Sequence, residues 1–195
     1  MKKTFFIGAL AFAWIASSAA SDVRAEGADP VLTAQIAEQG SNIAWGQAVV
    51  ELDQPIEEVL PIIVDYANYV QFMPNFTKSR VIAQRGTRAQ VYIEVSVAKG
   101  AITLWGQLNI AEHPESQDVR VVEARLLEGN VDAFSALWHL TPIDGGARTR
   151  VDFKIRVDPD IPLPSSIFSR ENEKAAGRTL TALRSRVAEV PRGST

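Results

Sequence analysis

SSIFSRENEKAAGRTLTALRSRVAE, residues 165–189, is a stretch of about seven helical turns without a proline. A ladder of Pro159, Pro162 and Pro164 precedes it. Before the ladder, residues 131–158 read as two β-strands joined at Asp144-Gly145-Gly146. Proline cannot donate to a sheet ladder, so the sheet ends where the prolines begin. A single long helix after a row of antiparallel strands is buried most economically across the concave face of a curved sheet. Ile167, Phe168, Ala175, Ala176, Leu180, Leu183 and Val187 recur at three- and four-residue intervals and form its inward stripe.

Upstream, residues 43–52 read as a first strand, and Pro55 opens a helix at a position where its missing N–H is no loss. Glu57 and Glu58 suit the helix dipole in the first turn. Pro61 predicts a kink or a late start. Strands are expected over 77–85, 89–98, 101–111, 118–127, 131–141 and 147–157. Val91, Ile93, Val95 and Val97 alternate with Tyr92, Glu94, Ser96 and Ala98, a one-sided period of two. His113 to Ser116 and Glu128 to Asn130 are turn signals. The expected fold is α+β: a seven-stranded antiparallel meander, curled by its own twist around the C-terminal helix, with two short helices after the first strand. Residues 26–42 read as a lead-in, with Val31, Ile36 and Ala37 predicting a small helix closed by Gly40.

Residues 1–25 read as a cleavable export signal. Lys2 and Lys3 precede an apolar run from Phe5 to Ala16, and small residues lead to Ala25, with Ala20 as a rival cleavage point. The run is shorter than the ~20 residues of a membrane span. The expected location is periplasmic or secreted, and the expected folded domain is residues 43–190. That signal holds three cations against Asp22, a net of +2, so a chain of net −3 becomes −5 once it is removed. An acidic protein gains nothing from counterion release on a polyanion, which argues against nucleic acid as a partner. Zero cysteines exclude a disulfide framework.

Three segments carry a resemblance. They are Asp65-Tyr66-x-x-Tyr69-x-x-Phe72-Met73-Pro74, then Trp138-x-Leu140-x-Pro142 followed by Gly145-Gly146 and Arg150-Val151-Asp152-Phe153, and the proline-rich link into the last helix. Together with the element order, the chain resembles the START-like polyketide cyclase/dehydrase superfamily, the Bet v 1-like helix-grip fold, over roughly residues 43–188. The coenzyme Q-binding and ribosome-association-toxin-like branch looks closest. The export signal departs from that branch, whose best-known members work inside cells or mitochondria. The resemblance implies a hydrophobic small molecule or lipid between sheet and last helix, no superfamily-wide catalytic set and no cofactor.

Two places are candidates for that site. The helix stripe is small at Ala175, Ala176 and Gly177. A buried seam lacking side-chain volume either holds a ligand or is closed by the sheet, since an empty void costs about 24 cal/mol per Å³. Asn172, one turn earlier, is positioned to meet a polar head group. The second place is Tyr66–Phe76, with five large side chains. Tyr66 and Phe72 are expected to pin the short helices, while Tyr69, Met73 and Phe76, which the resemblance places near the pocket mouth, gate entry or grip an apolar tail. Asp65 is expected to turn the chain. Trp138, alternating with Phe134, Ala136 and Leu140, is expected to face inward. The ligand-binding set is therefore Tyr69, Met73, Phe76, Trp138, Phe153, Phe168, Asn172, Ala176 and Leu180.

The sequence names no catalytic residues and no metal ligands. His113 and His139 lack metal spacing, and there is no phosphate-binding glycine loop. The expectation is a carrier of a lipid, quinone or isoprenoid, with room for a transient membrane or envelope-protein contact. One alternative is a cyclase or dehydratase drawing on Glu94, His139 and Asn172. The other is an interaction module with a filled cavity, meeting a protein through the face of Trp105.

Overall fold

In the computed structural model, which describes residues 29–116 and 118–190, the chain runs through β1 (Leu32–Ile36), β2 (Trp45–Leu52), α1 (Ile56–Ile63), a 3-10 turn (Tyr66–Asn68) and α2 (Tyr69–Phe72). It continues through β3 (Phe76–Arg85), β4 (Arg88–Val97), β5 (Ile102–Pro114), β6 (Arg120–Gly129), β7 (Ala133–Ile143), β8 (Arg148–Asp158) and α3 (Ser165–Glu189). The export signal expected at residues 1–25 lies outside the described residues. All strands join one antiparallel sheet in the order β1-β2-β8-β7-β6-β5-β4-β3. The fold is the expected α+β helix grip.

Eight strands replace the expected seven. The small helix expected around Val31 to Ala37 is instead β1, paired with β2 from Leu32 opposite Val49 to Ile36 opposite Trp45. So short a segment cannot hold a helix alone, whereas β2 offers it a free edge and α3 offers its side chains a partner. The lead-in is thus part of the sheet. Two expected turns also move. β5 runs on to Pro114 opposite Arg120, and β6 runs to Gly129 opposite Gly106, past a bulge after Gln107. At Pro61 there is no late start: α1 begins at Ile56, after Pro55, and stops two residues beyond the interior proline.

Alternation sends one residue of each pair to the concave face. Ala48, Val50 and Leu52 of β2, Val151 and Phe153 of β8, and Trp138 and Leu140 of β7 share one core with Val91, Leu108 and Val122. Ala176, Leu180, Leu183 and Val187 of α3 complete it, each almost fully buried. Burying each of those three larger side chains contributes roughly 1.5–3 kcal/mol. α3 lies on β1, β2 and β8, with α1 and α2 alongside it. It therefore covers one flank of the concave face, and β4 to β7 continue beyond it.

Candidate functional site

The seam beneath α3 is closed. A β-carbon at Gly46 on β2 would stand 2.0 Å from the carbonyl carbon and oxygen of Asn172, so helix and strand backbones touch there. A β-carbon at Gly177 would lie 2.9 Å from Thr33 Cγ2, and Ala176 is fully buried. The small side chains expected to leave room for a ligand serve instead for close approach.

Asn172, expected to meet a head group, spends its amide on backbone. Its Oδ1 accepts the N–H of Val157 at 3.1 Å, and its Nδ2 donates to the carbonyls of Ala44 at 3.2 Å and Val157 at 3.3 Å. The N–H of Ala44 donates to Ser169 Oγ at 3.0 Å. Glu173 accepts from Thr33 Oγ1 at 3.0 Å and Gln35 Nε2 at 2.8 Å. Those bonds, Gln35 first and then Thr33, hold the Glu173 carboxyl below the usual range, with burial opposing and Arg170 assisting. Sequence reasoning missed Gly46, Ser169 and Glu173 as parts of this clamp. The available signal was Gly46 itself, because glycine inside a strand marks close backbone approach.

On the other flank stands the aromatic segment. Asp65 turns the chain as expected, its carboxylate accepting from Asn68 Nδ2 at 2.9 Å. Tyr66 is buried and its carbonyl accepts from Ser79 Oγ. Burial, followed by the charge of Glu112, pushes its phenol up to about 12. Tyr69 donates its hydroxyl to the Ile63 carbonyl, and burial first of all raises its phenol as well. Its ring meets those of Tyr66, Phe72 and Phe76 edge-on at 5.5–5.7 Å. Met73 is buried beneath them, and Arg186 of α3 lies over Phe72 at 5.7 Å.

Between these flanks runs an apolar floor. Trp138 faces inward as expected and meets Phe153 at 4.1 Å between ring centres. Toward the end of the sheet where α3 begins, the floor continues through Val95, Leu126, Phe134 and Ile155, which pack on the core but stay half-buried. The structure thus brings Tyr69, Met73, Phe76, Trp138, Phe153 and Leu180 to one core. Phe168 stands apart, beside a hollow of about 690 Å³ lined also by Ile161, Leu163, Asp132, Asp158 and Asp160.

The residues named for cyclase chemistry are split by the sheet. Glu94 accepts from Tyr92 Oη at 2.7 Å and Lys78 Nζ at 3.0 Å on the convex side. His139 is also convex, pairing with Glu115 through Nε2 and lying 3.3 Å from Thr141 Oγ1 through Nδ1. Two strands separate β4 from β7, about 14 Å at usual strand spacing. Asn172 is on the opposite, concave side. Trp105 is half-buried on the convex face, stacked on Tyr92 at 6.0 Å. Among the described residues, no three His, Cys, Asp or Glu side chains are grouped to hold a metal.

A curved antiparallel sheet gripping a C-terminal helix, with an apolar concave face, defines the helix-grip class. The model of the family described as polyketide cyclase/dehydrase and lipid transport matches residues 52–184, and the chain belongs to that family. No curated protein sequence matches it. Among solved structures it is similar to a STAR-related lipid transfer protein fragment from Xanthomonas axonopodis, at TM-score 0.69 and 18% identity, covering 83% of this chain and 100% of that one. It is similar to human StAR-related lipid transfer protein 5, at TM-score 0.71 and 12% identity over 83% of each chain. It is also similar to the Zhui aromatase/cyclase from Streptomyces, at TM-score 0.57 and 16% identity, covering 77% of this chain and 96% of that one. At these identities the likeness concerns the fold.

Proposed function

We propose that the chain is an exported carrier that holds an apolar small molecule (a lipid, quinone or isoprenoid) on the concave face, between the Tyr66–Phe76 segment and β4 to β7. The observation that carries this reading is the half-buried apolar row Val95, Leu126 and Phe134 on β4, β6 and β7, beyond the strands on which α3 lies. Tyr69, Met73, Phe76, Trp138, Phe153 and Leu180 are the contacts proposed for the cargo. Asn172 and Ala176 hold the flanking seam. Lipid transport in the family's description and lipid transfer in the names of two similar structures support the cargo class. Lys2, Lys3 and the apolar run ending at Ala16 support export.

Covering ~300 Å² of hydrocarbon at ~25 cal/mol per Å² yields about 7–8 kcal/mol gross, and association costs reduce this to a micromolar-range affinity. Such a hold is loose enough to hand cargo on. Mass spectrometry of organic extracts from the purified protein tests the reading, and a stoichiometric hydrophobe is expected. Cell fractionation with N-terminal sequencing tests export; full-length chain in the cytoplasm would refute it.

The closed seam at Gly46 favours a second reading, an interaction module whose cavity is filled by its own side chains. Repeated recovery of protein free of any hydrophobe, together with partner binding lost in Trp105→Ala, would establish that reading instead. The split of Glu94 and His139 from Asn172 leaves the cyclase alternative without its acid and base on the cargo side.

A further inference from the structure

The two walls of the concave face are held by different physics. Lifting α3 would strand the N–H and carbonyl of both Ala44 and Val157, which now pair with Ser169 and Asn172. Both of those side chains are buried. It would also break the bonds from Thr33 and Gln35 to Glu173 and expose Leu180 and Leu183. Apolar cargo offers no donor or acceptor to replace what is lost, so every stranded group would remain a penalty.

The Tyr69–Phe76 wall is seated otherwise. α2 is a single turn with no side-chain cap at its start. It leads into β3, an outermost strand interrupted by bulges after Phe76 and after Val81. Polar anchors stand at the two ends of the segment: Ser79 Oγ on the Tyr66 carbonyl, and the Ser96 N–H on the carbonyl of Asn75, a residue at φ +64°. Between them the rings of Tyr69, Phe72 and Phe76 hold by edge-on contacts. The Tyr69 hydroxyl on the Ile63 carbonyl is the one side-chain hydrogen bond from these rings among the described residues. Ring-to-hydrocarbon contacts are what hydrocarbon cargo can replace in kind.

We infer that cargo reaches and leaves the concave face by displacement of the Tyr69–Phe76 segment, while α3 stays seated as a fixed wall. This rests on the carrier reading above, and it assigns the rate of exchange to the aromatic segment and its Tyr69 latch.

The chain has no cysteines, so introduced thiols report alone. Opening can be read without cargo by labelling Met73→Cys and Leu180→Cys with a thiol reagent under native conditions, both positions being buried. Met73→Cys is expected to react about tenfold faster or more, because local opening needs less free energy than global unfolding. Equal rates, or a faster Leu180→Cys, would overturn the inference whatever the cargo does. Release of cis-parinaric acid, a fluorescent fatty acid, is then timed in two double variants. F72C/R186C, bridged by a short bis-methanethiosulfonate reagent that a reductant cleaves, ties the segment to α3, and T33C/G177C, closed as a disulfide with a mild oxidant, ties α3 to β1. The first bridge is expected to slow release about tenfold and to recover on cleavage, and the second to change it less than about twofold, since bound cargo escapes only at the rate of opening. The reverse pattern overturns the inference. A wild-type protein that takes up no probe, yet exposes Met73→Cys ahead of Leu180→Cys, refutes the carrier reading and leaves the mobile wall established.

Discussion

Gly46 has no room for a side chain: the nearest atoms to an added β-carbon are Asn172 and Glu173 backbone at 2.0–2.3 Å, which cannot rotate away. Gly46→Ala is expected to lower stability by about 3 kcal/mol, the upper range of overpacking. That corresponds to a fall of roughly 10 °C in Tm for a domain of this size, read by differential scanning calorimetry. Gly106→Ala, whose β-carbon would meet the flexible end of Leu126 at 3.1 Å, is expected to fall much less. Tyr66 supplies a second expectation. Its phenol stands at about 12 in the fold, above the ordinary ~10 of an unfolded chain. Its stabilising contribution is therefore complete below about pH 10 and lost as pH rises through 12. The urea midpoint of the wild type should decline between those values more steeply than that of Tyr66→Phe. The inward Trp138 and the Asp65 turn were legible from alternation and local chemistry. The closed seam was not, because Ala175-Ala176-Gly177 reads alike over a void and over a touching strand. What decides between them is Gly46, which only the folded chain brings to the helix.

Among the elements, the extent of α3 was legible, since prolines bound it in front, but its inward stripe held only from Ala176 on: Ile167 is exposed, and Ser169 and Asn172 take the buried positions of the first turns. β1 was not. Its five residues have no strong pattern, all are exposed, and their strand conformation comes from β2 on one side and Glu173 above. That dependence is testable by pH. The folded Glu173 carboxyl titrates below the ordinary ~4.3 of a free glutamate. Its hold on β1 is therefore complete above that value and lost as pH falls through the depressed one. Hydrogen exchange, corrected for intrinsic rates, should show β1 amides losing protection on acidification before those of β5. In Glu173→Gln, β1 protection should no longer change over the same interval. Unchanged protection of β1 in the wild type down to the acid unfolding of the whole protein would count against this account.

For the molecule as a whole, the sheet order places β2 between β1 and β8, so strands from the two ends of the domain are neighbours. The class of fold was legible because the order of strands, helices and prolines carries it. The position of the cargo face was not, because coverage by α3 depends on which strands it crosses. A chain stopped at Ile143 lacks β8 and α3, leaving β2 paired only with β1 and β7 only with β6, so the sheet falls into two pieces. Circular dichroism of that fragment is expected to show no cooperative thermal transition, whereas the intact chain gives one. A sharp transition in the fragment would mean that β3 to β7 form an independent unit.

The pairing of Gly46 with Ile155 has a consequence in time. A ribosome delivers β2 early and its inner neighbour nearly last, so the nascent polypeptide has no means of completing the sheet until synthesis is almost done. Throughout that delay one edge of the early strand lacks its partner, and the two ends of the domain meet only with the final residues.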